Sequence, residues 1–325
     1  MGSMLTLAAS GLALSASSSA AKQRLRDSFG ARTDGVLACP KTGALLQSEV
    51  SVVGGERRTL LTTKLGERYP VRSASSDGEA VYADLIPRDA ALGLGELGQQ
   101  LRDEAFSVLS MQTGIFRSPL MAWYYERGWR QNFEAAGFPG VDKEFAEVSD
   151  FFAGAADGGT VVDLSCGSGL MCRRLVKSGR YGRVLALDYS EEMLRQTRSR
   201  FDQEAIPTTT LTLVRADAAA LPLRTGVVDG LHAGAALHCW PQLELSLAEV
   251  RRVLRPDGGR FFATTFFEGA VPGRRAQGQQ PGVGSMRFFK DESELEQLLV
   301  QAGFDAEGVE VRREGRACAV IRAEV

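Results

Sequence analysis

The stretch from Thr160 to Ser190 constrains the fold of this chain more than any other. Thr160-Val161-Val162-Asp163-Leu164 is a short apolar run, the pattern of a strand buried inside a parallel sheet. Ser165-Cys166-Gly167-Ser168-Gly169 follows as a turn. Leu170, Met171, Leu175 and Val176 then recur at helical spacing until Gly179 ends the helix. Val184-Leu185-Ala186-Leu187 reads as a second buried strand, with Asp188 at its carboxyl end. The result is one βαβ unit, and sheets of this kind bind ligands above the carboxyl ends of their strands. Gly167 and Gly169 lack a Cβ, so a ligand can lie directly against the turn. The helix that starts near Leu170 aims unpaired N–H groups at a carboxylate or phosphate. Asp188 lies about 20 residues past the glycine turn, where a carboxylate accepts from ribose hydroxyls.

The spacing also separates cofactors. A dinucleotide fingerprint needs a third glycine, and Cys172 and Arg173 stand where it would fall. Asp163-x-x-x-Gly167-x-Gly169 instead resembles motif I of the class I S-adenosylmethionine (SAM) methyltransferases. A third strand, Leu211-Thr212-Leu213-Val214, leads to Asp217. There a carboxylate followed by the N–H of Ala218 can accept from an adenine amine and donate to a ring nitrogen, although a helix N-cap is the other reading of Asp217.

Composition narrows the class. The 325 residues allow one large domain and a smaller one, and 44% hydrophobic with 24% charged residues is ordinary for a globular protein. A net charge of −2 supplies no basic field for nucleic acid. Cys39, Cys166, Cys172, Cys239 and Cys318 are scattered without a paired framework, which fits a reducing compartment. No apolar run reaches the roughly 18 residues of a membrane span.

Residues 1–30 are rich in Ala and Ser and carry no acid before Asp27, as in an organellar transit peptide; a disordered tail is the alternative. Residues 31–87 read as a small β module, with a Gly54-Gly55 hairpin signal between Glu49–Val53 and Thr59–Thr62. Cys39-Pro40 begins like half of a zinc knuckle. One thiolate cannot hold a structural zinc, so the module reads as a degenerate, metal-free zinc ribbon with Cys39 buried. Residues 88–155 turn helical, with Leu101, Ala105, Val108 and Leu109 in phase, and form a cap on the 88–325 domain. In the aromatic stretch Phe116–Arg130, Tyr124 and Tyr125 are adjacent and face different ways.

Beyond Asp188 the βα alternation continues. Ser190 caps a helix with Glu191 and Glu192 in its first turn and Met193, Thr197 and Phe201 on one stripe. Val227–Ala233 is the fourth strand, and it runs into the loop Gly234–Pro241. Both histidines of the chain lie here: His232 inside the strand reads as structural, and His238 on the loop as structural or functional. Leu243, Leu247, Val250 and Leu254 mark a helix, and Arg260–Phe266 is the fifth strand. Residues 268–290 form a Gly-, Pro-, Gln- and Arg-rich insertion that suits a lid. A helix from Asp291 and two closing strands, 309–311 and 317–323, complete a seven-stranded sheet.

Phe116–Leu120, Tyr125–Gln131, Val162–Leu170, Ala186–Ser190 and His232–Pro241 together resemble a plant and algal family of plastid methyltransferases, itself similar to the quinone methyltransferases. The resemblance covers about residues 85–325. It implies a Rossmann-like α/β sheet with helices on both faces, SAM as cofactor and a small lipophilic acceptor such as a quinone-like plastid metabolite. Asp163, Gly167 and Gly169 would shape the methionine end, Asp188 beside Tyr189 would take the ribose, and Asp217 with Ala218 the adenine. Trp240 and Tyr124 or Tyr125 are candidates to face the sulfonium by cation–π attraction. His238 is the expected general base, because an unperturbed pKa of about 6.5 suits it. The resemblance also implies a plastid location, with mitochondrion or cytoplasm as alternatives, and peripheral association with a membrane or lipid droplet. Three other readings compete: an RNA methyltransferase, from the basic cluster Arg173, Arg174, Lys177, Arg180 and Arg183; a non-catalytic SAM-binding scaffold; and a nicotinamide oxidoreductase.

Overall fold

The computed structural model describes residues 33, 35–53, 56–73, 80–86, 133, 137–268 and 286–325. The expected transit peptide, the 101–109 helix, Tyr124, Tyr125 and most of the expected lid lie outside the described residues.

Four strands come first: β1 (Gln47–Val53), β2 (Glu56–Thr62), β3 (Arg68–Ser73) and β4 (Ala80–Asp84). β1 and β2 pair antiparallel with Val53 opposite Glu56, the two-residue hairpin that Gly54-Gly55 signals. Helix α1 (Val141–Phe151) precedes β5 (Thr160–Leu164), α2 (Leu170–Lys177), β6 (Arg183–Asp188), α3 (Glu191–Gln203) and β7 (Leu211–Arg215). Then come β8 (Gly230–Ala233), a 3-10 turn at Leu237–Cys239, α4 (Leu243–Val253), β9 (Arg260–Phe266), α5 (Glu292–Gln301), β10 (Val309–Glu314) and β11 (Cys318–Glu324).

The strand order is β1-β2-β3-β4-β7-β6-β5-β8-β9-β11-β10. Strands β5 to β9 run parallel and the β10–β11 hairpin closes the sheet antiparallel, as the sequence pattern leads one to expect. The direction of winding changes between β5 and β8, which makes that pair the topological switch point. Successive residues of each buried strand face opposite sides. Val161, Val184 and Leu213 pack with Phe152, Met171 and Phe201 of the α1–α3 side, while Val162, Leu185 and Val214 pack with Leu247, Val250 and Leu299 of the α4–α5 side. No helix among the described residues is long and apolar enough to cross a membrane.

Three expectations are refined. The front module does not stand apart from the sheet: β4 pairs parallel with β7, Ala83 opposite Val214 and Asp84 opposite Arg215, so the antiparallel meander β1–β4 extends the main sheet. Within it Cys39 is buried, with its Sγ 3.0 Å from the Tyr69 hydroxyl. The fourth strand begins at Gly230 rather than Val227, because the N–H groups of Val227 and Val228 both donate to the Val253 carbonyl and leave the ladder. The end of the expected lid, residues 286–290, is anchored: Phe289 is fully buried, and Arg287 pairs with Glu244 and Glu294.

Candidate functional site

The glycine turn after β5 is held from two sides. Thr197 on α3, fully buried, donates its hydroxyl to the Gly167 carbonyl at 2.9 Å. Asp188, at the end of β6, accepts from the Gly167 N–H through Oδ2 at 2.9 Å and from the Ser190 N–H through Oδ1 at 2.8 Å. Burial raises the Asp188 pKa to about 6, against the lowering effect of the Ser190 and Gly167 N–H groups. Gly169, at φ +81°, is the N-cap of α2. A Cβ there would meet Thr197 Cγ2 at 2.6 Å and Cys172 Sγ at 3.0 Å. Gly169→Ala is therefore expected to destabilise the fold by about 1–3 kcal/mol through strain at a left-handed residue, with an added loss from displacing Thr197. Chemical denaturation checks this, and an unchanged midpoint would contradict the tight turn.

Gly167, Asp188, Tyr189, Asp217, Ala218 and Trp240 all line one cleft above the carboxyl ends of β5, β6, β7 and β8. Asp217 caps its own tight turn by accepting from the Ala219 N–H at 2.9 Å; it is not the N-cap of a helix. Trp240 is buried on the opposite wall and donates its indole N–H to the Ser165 hydroxyl at 3.0 Å. Ser165 takes φ +59°, so the indole is fastened to the sharpest point of the turn.

The Gly234–Ala236 segment also lines the cleft. It is fixed by a buried polar chain that begins at Asp163. Asp163 Oδ1 meets His232 Nδ1 at 2.9 Å, and His232 Nε2 lies 3.3 Å from Glu144 Oε1 on α1. The Thr264 hydroxyl donates to Glu144 Oε1 at 3.0 Å and accepts from the Ala235 N–H at 2.8 Å. Burial alone would lower the His232 pKa, but Asp163 and Glu144 outweigh it and lift the value to about 9. An imidazolium clamped between two carboxylates thus sits directly behind the cleft. Gly234 is required here, since a Cβ would lie 2.8 Å from His232 Cε1.

His238 does not line the cleft. Its ring is buried, edge-on to Phe266 at 4.8 Å between centroids, with Nδ1 3.4 Å from the Thr265 hydroxyl. Burial drives its pKa down to about 3. This placement departs from the expectation of a loop histidine poised near its ordinary pKa. Loop position alone does not reveal that the 3-10 turn folds the ring inward.

Four of the five cations of the basic cluster after motif I are engaged in ion pairs with three carboxylates. Arg173 and Lys177 both pair with Glu204, Arg174 pairs with Asp142, and Arg180 with Asp157. Such pairing reduces the charge this face offers a polyanion.

The cleft suits a nucleoside that carries an amino-acid tail. The Asp188 carboxylate is oriented by two N–H groups and still has lone pairs to offer hydroxyls. Space is open beside Gly167, where a Cβ would meet nothing within 4 Å. Asp163 Oδ2 is buried without a hydrogen-bond partner among the described residues.

A family profile described as a methyltransferase domain matches residues 162–262. An uncharacterized chloroplastic methyltransferase of Arabidopsis thaliana is 50% identical over 166 residues, covering 50% of this chain and 47% of that protein. A second from the same plant is 45% identical over 243 residues, covering 71% of this chain and 61% of that protein. The chain thus spans about half to three-fifths of the length of these two relatives. A demethylmenaquinone methyltransferase of Lactococcus lactis is 30% identical over 184 residues, covering 50% of this chain and 71% of that protein.

Proposed function

The chain belongs to the class I S-adenosylmethionine-dependent methyltransferases, and we propose that it methylates a small lipophilic acceptor of the quinone type in the plastid. The observation that carries the cofactor assignment is the convergence of Gly167, Asp188, Asp217 and Trp240 on one cleft at the switch point of the sheet.

Bound SAM supplies an electrophilic methyl group on a sulfonium. In this reading Asp188 accepts the ribose hydroxyls, with Tyr189 against the same moiety. The Asp217 carboxylate and the Ala218 N–H take the adenine edge, and the N–H groups at the start of α2 face the amino-acid carboxylate. Gly167 borders the space for the methionine end, while Asp163 and Gly169, which do not line the cleft, support it from behind through His232 and Thr197. Trp240, pinned by Ser165, offers an aromatic face to a cation. The chain's contribution to rate is then mainly positioning. The base role expected of His238 is not carried into this proposal, because its ring faces Phe266 and Thr265.

The quinone-type acceptor is supported by the kinship with the Lactococcus protein. The plastid location rests on the chloroplastic relatives and on the composition of residues 1–30. We take 88–325 as the methyltransferase unit and 31–87 as its accessory. The test supplies methyl-labelled SAM and purified protein to separated lipid and RNA fractions of plastids. Label in the lipid fraction is expected; label in RNA, or in neither fraction, would overturn the acceptor assignment.

A further inference from the structure

The front β meander meets the elements around the cofactor cleft through the end of β4. Asp84, the last residue of β4, is buried, and its Oδ1 lies 3.7 Å from Arg215 Nη1 at the end of β7. Arg72 of β3 approaches the other carboxylate oxygen at 3.7 Å, but from a side chain 39% exposed. The Leu85 N–H donates to the Arg215 carbonyl at 2.9 Å, so the two strand ends are locked in register.

Arg215 in turn grips the turn that follows β6. Its Nε donates to the Tyr189 carbonyl at 3.1 Å, and its guanidinium carbon lies 5.6 Å from the centre of the Tyr189 ring. Tyr189 lines the cleft next to Asp188. A guanidinium that must hold both a carbonyl and a ring face needs its orientation fixed, and a buried carboxylate on its far side does that. Without Asp84 the guanidinium keeps Glu191 as an anionic neighbour but loses the buried charge at the end of β4, and its hold on the carbonyl and the ring loosens.

We propose that Asp84 is a positioning residue for the cofactor site: the front module sets the Tyr189 wall of the cleft through Arg215. The accessory strands then have a function in binding, and a ligand in the cleft feels them without touching them. This rests on the cofactor reading given above.

The test is calorimetric titration of S-adenosylhomocysteine, well below the unfolding temperature, into wild type, Asp84→Asn and Asp84→Glu. Asp84→Asn is expected to weaken binding by about 5- to 10-fold, the scale of a lost partly desolvated cation–π contact, and Asp84→Glu to recover part of it. In a Tyr189→Ala background the same Asp84→Asn change should cost less than half as much on the logarithmic scale, because its route to the ligand is gone. Arg215→Lys serves if Asp84→Asn does not fold, since it keeps the charge beside Asp84 while losing the planar fork; a loss of similar size is expected. Unchanged affinity in both variants, or full additivity with Tyr189→Ala, would overturn the proposal while the cofactor reading stands. A wild type that binds neither S-adenosylhomocysteine nor SAM would remove both.

Discussion

Replacing His232 with leucine is expected to lower folding stability by about 3–5 kcal/mol, the usual consequence of removing one partner from a buried ion pair. The substitution leaves Asp163 and Glu144 facing each other across an apolar side chain, both nearly inaccessible to water. Urea unfolding of wild type and variant measures the difference directly. The pH dependence distinguishes an ionic clamp from simple packing. The folded pKa of about 9 is above the ordinary 6.5, so the stabilisation is complete below pH 6.5 and is lost as pH rises through 9. Wild type should therefore lose stability between pH 7 and pH 9, and His232→Leu should lack that loss. A wild type whose stability is flat over this window would show that the ring is not held as a cation.

The second large effect concerns Asp188. Asp188→Ala is expected to weaken S-adenosylhomocysteine binding by about 10- to 100-fold, the worth of roughly 1.5–3 kcal/mol of charge-assisted hydrogen bonding. The carboxylate does two jobs that the substitution removes together: it presents acceptors to the cleft, and it holds the Gly167 and Ser190 N–H groups in place. Because its pKa is raised to about 6, wild-type affinity should be steady above pH 7 and fall as pH drops through 6, where the group takes up a proton and loses its charge. Asp188→Asn should bind weakly at both ends of that range. Calorimetry between pH 5 and pH 8 checks both statements, and equal affinity for wild type at pH 5 and pH 8 would remove the carboxylate from the binding site.

The sequence makes the central sheet legible because each of its strands is a short buried run bounded by turn residues. The glycine turn and Asp188 are legible because they are neighbours within one βαβ unit. What it hides are contacts set by register between distant strands. His232 lies 69 residues from Asp163 and 88 from Glu144, and nothing local to a histidine inside a strand announces two carboxylates. The signal that does exist is positional: in the parallel pairing of β5 with β8, Asp163 stands opposite His232. The same holds for Asp84 and Arg215, which meet only because β4 settles against β7. Thr197 was legible as part of a helix stripe but not as the residue that secures the Gly167 carbonyl, since that contact depends on how α3 returns over the turn. His238 shows the converse, a loop residue whose ring the backbone turns away from the cleft.

The pairing of β4 with β7 has a consequence for how the protein can be cut or rearranged. In the β5–β11 part alone, β7 would be a bordering strand with a free row of N–H and C=O groups, a template on which a second molecule can add. The end of β4 covers the Val214–Arg215 end of that row, and β1 becomes the border of the sheet on this side. That end of β7 is thereby out of reach of a second molecule, and a chain shortened to residues 88–325 would bare it again.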